Sequence, residues 1–156
     1  MEAHCLICGL DDADESAVVF RDELWAAEVA PGYEVPGWFF LRARRHAELI
    51  TGLDAQELET FGRRARDMVD AVTRATGAEA TYMLMFGEAF PHFHVLIAAR
   101  TAEVPSDRRA GDILKLRAEQ VDPERARALV PSVRKAYADV SAGYPAAFRA
   151  VPAESG

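Results

Sequence analysis

Residues 91–100 read Pro91-His92-Phe93-His94-Val95-Leu96-Ile97-Ala98-Ala99-Arg100. In extended backbone successive side chains alternate between faces, so Phe93, Val95 and Ile97 share one face and His92, His94 and Leu96 the other. The segment from His92 to Ala99 is a strand by this reading, entered through the turn Gly87 to Pro91. It sets two imidazoles on a single face. Imidazole acts as ligand, acid, base or nucleophile near neutral pH, which makes the pair a candidate for chemistry.

Working outward, Ala80 to Phe86 reads as the strand before that turn. A long helix precedes it, with Asp54 as N-cap and Glu57 at the capping-box position. Leu58, Phe61, Ala65, Met68, Val69 and Val72 recur at helical spacing, and Gly77 is a natural stop. Val18 to Phe20 and Leu24 to Val29 read as strands around the charged turn Arg21-Asp22-Glu23. Pro31-Gly32 and Pro36-Gly37 punctuate the next connection, and Trp38 to Leu41 is a further strand. It runs into the basic stretch Arg42 to Arg45, read as a solvated patch. Beyond the histidine strand, Asp122 caps a helix with Pro123 in its first turn, and Pro131 kinks that segment or starts a second helix. The chain after about Tyr144 reads as a loosely held tail. This order predicts an α+β domain with an antiparallel sheet.

A chain of 156 residues is one domain, able to bury about two-thirds of its unfolded surface. Its 50% hydrophobic and 28% charged residues exclude disorder and collagen-like repeats. Against 25 acidic residues stand 18 Lys and Arg, for a net charge of −7 that repels polyanions and argues against generic nucleic-acid binding. No stretch approaches the roughly 18 consecutive apolar residues of a membrane span. Met1-Glu2-Ala3-His4 lacks the basic start and apolar run of a signal peptide, so the expectation is a soluble, cytoplasmic protein.

The two cysteines stand together as Cys5-Leu6-Ile7-Cys8. That spacing serves a zinc ion, serves a redox pair, or arises by chance. A redox pair sits after a strand and opens a helix, and no strand precedes this one. A structural zinc site takes four ligands, and two thiolates with two imidazoles suit it. The chain has four histidines, His4, His46, His92 and His94. His4, adjacent to Cys5, would strain the loop as a co-ligand, which favours His46 with either His92 or His94.

The run from Pro91 to Arg100 resembles the signature of the histidine triad (HIT) superfamily, His-φ-His-φ-His-φ-φ followed by Pro-Arg, where φ is apolar. Pro36-Gly37-Trp38-Phe39-Phe40-Leu41 and Arg44-Arg45-His46 resemble the family's Pro-Gly-strand-basic-His segment, and Leu53-Asp54-Ala55-Gln56-Glu57 the start of its long helix. The N-terminal cysteine pair is similar to that of the zinc-containing branch. The resemblance covers residues 1–115 and leaves 116–156 as a C-terminal helical extension and tail. It implies a HIT-like five-stranded antiparallel sheet with one long helix and additional C-terminal helices. It also implies a homodimer in which two such sheets join.

Placing Arg100 on the family's arginine aligns His92, His94 and Leu96 with the three histidine positions. The resemblance then implies that His94 attacks the α-phosphate of a nucleotide or nucleotide conjugate, forming a covalent nucleotidyl-histidine. Arg100 would bind that substrate, and Cys5, Cys8, His46 and His92 would hold a structural zinc ion. The activity implied is that of a nucleotide hydrolase or nucleotidyl transferase. Its substrates would be dinucleoside polyphosphates, nucleoside phosphoramidates or nucleotide-sugars. Three departures stand out. Leu96 replaces the third histidine and can neither donate a hydrogen bond nor transfer a proton. Phe86-Gly87-Glu88-Ala89-Phe90 lacks the family's phosphate-cradling residues and carries a carboxylate, and Ala98-Ala99 stands where an apolar residue and proline are usual. These departures open two alternatives: a catalytically impaired zinc-binding protein that still binds nucleotide, or the scaffold recruited to a specialised biosynthetic reaction.

Overall fold

The computed structural model describes residues 5–142 and the backbone of 151–152. In chain order it holds a helical turn α1 (Leu6–Gly9), strands β1 (Val18–Arg21), β2 (Trp25–Glu28) and β3 (Trp38–Ala43), and the long helix α2 (Ala55–Thr76). Strands β4 (Ala80–Leu84) and β5 (His94–Arg100) follow. Helices α3 (Leu116–Glu119), α4 (Pro123–Ala128) and α5 (Val130–Ser141) come next, then a two-residue strand β6 (Val151–Pro152). The sheet is antiparallel with strand order β4-β5-β3-β2-β1-β6. The five anticipated strands are therefore present, and β6 extends the edge beside β1. The remainder of the C-terminal segment read as a tail lies outside the described residues.

β3 and β5 are central and pair from Trp38↔Ala98 to Arg42↔His94. Their apolar runs serve two faces at once. Phe39, Leu41, Val95 and Ile97 pack toward α2 and α5, where Met68, Val72, Val130 and Val133 complete one core. Trp38, Phe40, Leu96 and Ala98 face the opposite layer with Ile7, Leu10, Ile113 and Leu116. Alternation along the histidine strand thus sorts its side chains as expected. Leu116 belongs to this second core, while Ala126, Val130, Val133 and Tyr137 belong to the first, where Tyr137 of α5 stacks on Phe20 with ring centroids 4.2 Å apart.

Local differences from the expected elements have identifiable causes. β5 begins at His94 rather than His92, because the His92 N–H donates to Phe90 O and the Phe93 N–H to Ala47 O, outside the ladder. Pro131 opens the second helix, with α5 starting one residue before it. Leu58, placed by spacing on the buried stripe of α2, is 55% exposed. Its neighbour Glu57 is buried instead, accepting the Asp54 N–H in the capping box and pairing with Arg45 at 2.6 Å. In the Arg42–Arg45 stretch, read as a solvated patch, Arg45 is exposed but Arg42 is not. Arg42 is fully buried and pairs with Glu28 and Asp11 at 2.7 and 2.8 Å, while Arg44 pairs with Asp11.

Gly37 enters β3 with φ +91°, and a Cβ there would meet the Ala99 Cβ at 2.9 Å. Gly37→Ala is therefore expected to destabilise the domain by about 1–3 kcal/mol, read from urea unfolding. An unchanged midpoint would show that the β3–β5 contact relaxes freely.

Candidate functional site

The turn of α1 folds the two cysteines back on each other, with Cys5 as its N-cap and its Sγ accepting the Cys8 N–H at 3.3 Å. Over this turn come two rings from distant parts of the chain. Cys8 Sγ lies 3.3 Å from His46 Nδ1 and 3.4 Å from His92 Nδ1, and Cys5 Sγ lies 3.5 Å from His92 Nδ1. All four potential donor atoms lie within 4.8 Å of one another. An ion bonded to sulfur at about 2.3 Å and to nitrogen at about 2.0–2.1 Å in a tetrahedron holds S and N about 3.6 Å apart. The cluster matches that spacing. His92 is fully buried and its Nε2 lies 2.6 Å from Ala43 O; a carbonyl only accepts, so Nε2 carries the proton and Nδ1 offers its lone pair to the cluster. Burial holds the His92 ring below the ordinary histidine pKa, despite the opposing bond to Ala43. These four residues can hold a metal ion, and the choice left open between His92 and His94 falls on His92. His4 lies outside the described residues.

His94 begins β5 opposite Arg42, and its Nδ1 lies 2.7 Å from His92 O. The same donor logic places the proton on Nδ1 and leaves Nε2 with a free lone pair. Phe40 stacks on the ring at 5.0 Å and Phe90 flanks it at 6.1 Å. Burial pushes the His94 pKa down and favours the neutral, nucleophilic imidazole.

Two cavities meet at this ring, sharing Phe86, Gly87 and His94. One, of 260 Å³, is walled by Tyr33, Trp38, Phe40, Phe90, Leu96 and Leu114, with Glu88 and Arg117 as its charged members. The other, of 180 Å³, is lined by Leu49, Ile50, Met85 and Phe93 among others. Arg117 was not legible in the sequence. Its guanidinium lies 4.0 Å above the Tyr33 ring and its Nε donates to Gly32 O at 3.1 Å, contacts that only the fold creates. Arg100, expected to bind substrate, is not among the residues lining either cavity. It stands six residues along β5 from His94, about 20 Å away in extended chain, and pairs with Glu79.

Beneath the site, the buried Glu28–Arg42–Asp11 chain ties β2 and β3 to the segment that follows the cysteine turn. Burial pushes the Glu28 carboxyl up from 4.5 to about 7, against the pull of Arg42. The folded state then binds the extra proton between those values, so Glu28's contribution to stability falls as pH rises from 4.5 toward about 7. Stability of Glu28→Gln relative to the parent is expected to improve by on the order of 2 kcal/mol between about pH 5 and pH 7.5. A pH-independent difference in urea unfolding would show that Glu28 stays ionised beside Arg42.

The sequence matches no protein-family model and no curated protein. Solved structures do match. A HIT-like protein involved in cell-cycle regulation from Bartonella henselae superposes with TM-score 0.67 at 15% identity, covering 86% of this chain and 97% of that one. A Zn-bound histidine triad family protein from Mycobacterium smegmatis gives 0.64 at 16% identity, covering 90% and 98%. A uridylyltransferase gives 0.67 at 16% identity, covering 87% of this chain and 46% of its own, so this chain spans about half of it. The fold is that of histidine triad proteins.

Proposed function

We propose that this chain, with its histidine triad fold, is a nucleotide hydrolase or nucleotidyl transferase that works through a covalent intermediate on His94. The observation that carries the reading is the hydrogen bond from His94 Nδ1 to His92 O, which leaves Nε2 unprotonated in a ring lining both cavities. Nε2 donates its electron pair to the α-phosphorus as the bond to the leaving group breaks, and the leaving group takes that bonding pair. The ring becomes a phosphorylated imidazolium whose Nδ1–H stays on the His92 carbonyl. Water then adds its oxygen to phosphorus, the N–P pair returns to Nε2, and a proton is released to solvent. An acceptor other than water would make the reaction a transfer.

Cys5, Cys8, His46 and His92 hold zinc in this reading. Four protein ligands leave no open position, so the ion supplies structure and no activated water. Elemental analysis should find about one zinc per chain. The reading also makes the protein a homodimer, for which the edge strand β4, with Met83 and the following Met85 and Phe86 exposed, is a suitable face.

Intact-mass spectrometry of acid-free quenched protein tests the chemistry directly. Incubation with a diadenosine polyphosphate, an adenosine phosphoramidate and a nucleotide-sugar should add one nucleotidyl mass, lost in His94→Ala. A second reading rests on Leu96 and Glu88 in the larger cavity, which favour binding over turnover. Nucleotide binding without adduct or monophosphate release would select it.

A further inference from the structure

Resting on the covalent reading of His94, we infer that its substrate carries one phosphorus between two compact arms: a planar ring and an aryl leaving group. A polyphosphate chain or a sugar diphosphate does not fit the same surroundings. Charge is the first reason. Among the described residues Arg117 makes no ion pair, and its Nε is already committed to Gly32 O. The arginines of the neighbouring strand region are taken: Arg42 by Glu28 and Asp11, Arg44 by Asp11, Arg45 by Glu57. Arg117 is the one guanidinium lining the two cavities, which also carry the carboxylates Glu88 and Glu48; this suits a single phosphodiester charge, whereas a diphosphate or longer chain brings two or more.

Shape and wall chemistry agree. At 260 and 180 Å³ the two cavities are each below the roughly 300–1,000 Å³ of ordinary ligand pockets. In the larger, Tyr33 sits 5.1 Å from Phe40 and 6.0 Å from Phe90, a box of rings suited to a planar arm. Trp38 forms part of that wall and adds a further ring to it. The smaller cavity, with Leu49, Ile50, Met85 and Phe93, suits an aryl group. An aryl ester also balances the chemistry: as His94 Nε2 bonds to phosphorus the P–O bond breaks, and the phenolate leaves with the electron pair, needing no proton from Leu96.

The test compares a nucleoside 5′-(4-nitrophenyl phosphate) with a diadenosine polyphosphate and a nucleotide-sugar. Turnover is measured with the parent protein, and equilibrium affinity with His94→Asn. The aryl ester should be used and bound at least about tenfold better. Arg117→Ala should lose about tenfold or more on it, with partial recovery in Arg117→Lys. Equal or better use of the polyphosphate or nucleotide-sugar would overturn the inferred class and leave the His94 nucleophile standing. Arg117-dependent preference for the aryl ester in binding, with no adduct from any compound, would uphold the class and remove the covalent reading. No preference in binding, together with no turnover or adduct from any compound, would overturn both.

Discussion

His94→Ala is expected to lose at least about a thousandfold in kcat/KM on any nucleotide the protein turns over, with its unfolding midpoint little changed. The size follows from the role. A residue that forms the covalent bond has no substitute in the site: the ring neighbours Phe40 and Phe90 are apolar, and Leu96, next on the same face of β5, has no lone pair. The small stability effect follows from the ring's place on cavity walls, not in a packed core. Steady-state kinetics beside thermal unfolding separates the two. A fall of less than tenfold would remove His94 from the chemistry.

Cys8→Ser is expected to drop the metal content well below one ion per chain and to lower Tm by about 10 °C, on the scale of ~4 kcal/mol for a domain of this size. Cys8 touches both imidazoles of the cluster, at 3.3 Å and 3.4 Å, so its loss opens the centre of the arrangement. Chelation of the parent protein should reproduce the shift, and chelation of Cys8→Ser should add nothing. A parent protein that keeps its Tm in chelator would show that the hydrophobic layer around Ile7 and Leu10 fixes the N-terminus unaided.

What was legible in the sequence was what local pattern encodes. The cap at Asp54, the strand alternation through Val95 and Ile97, and the cysteine turn all depend on residues a few positions apart, and each appears in the fold. The choice between His92 and His94 as partner of the cysteines was not local. It turns on where the β3–β5 ladder begins: His92, outside the ladder, turns its ring to the cysteines, while His94 opens the strand. Arg117 was invisible for the same reason, since it lies 84 residues from the Tyr33 ring it covers. Arg100 shows the converse. Its motif position is legible, yet the register that sets Ala80 opposite Arg100 hands it to Glu79 at the far end of the strand. Leu58 fell off the expected stripe because a charged neighbour, Glu57, had a cap and an arginine to satisfy.

His92 contributes its ring to the cysteine cluster and its carbonyl to the His94 imidazole. One residue therefore joins two neighbourhoods, and a shift of its backbone would reach both. The cysteine cluster and the His94 ring are in this sense one mechanical unit, joined through a residue whose side chain serves one neighbour and whose backbone serves the other.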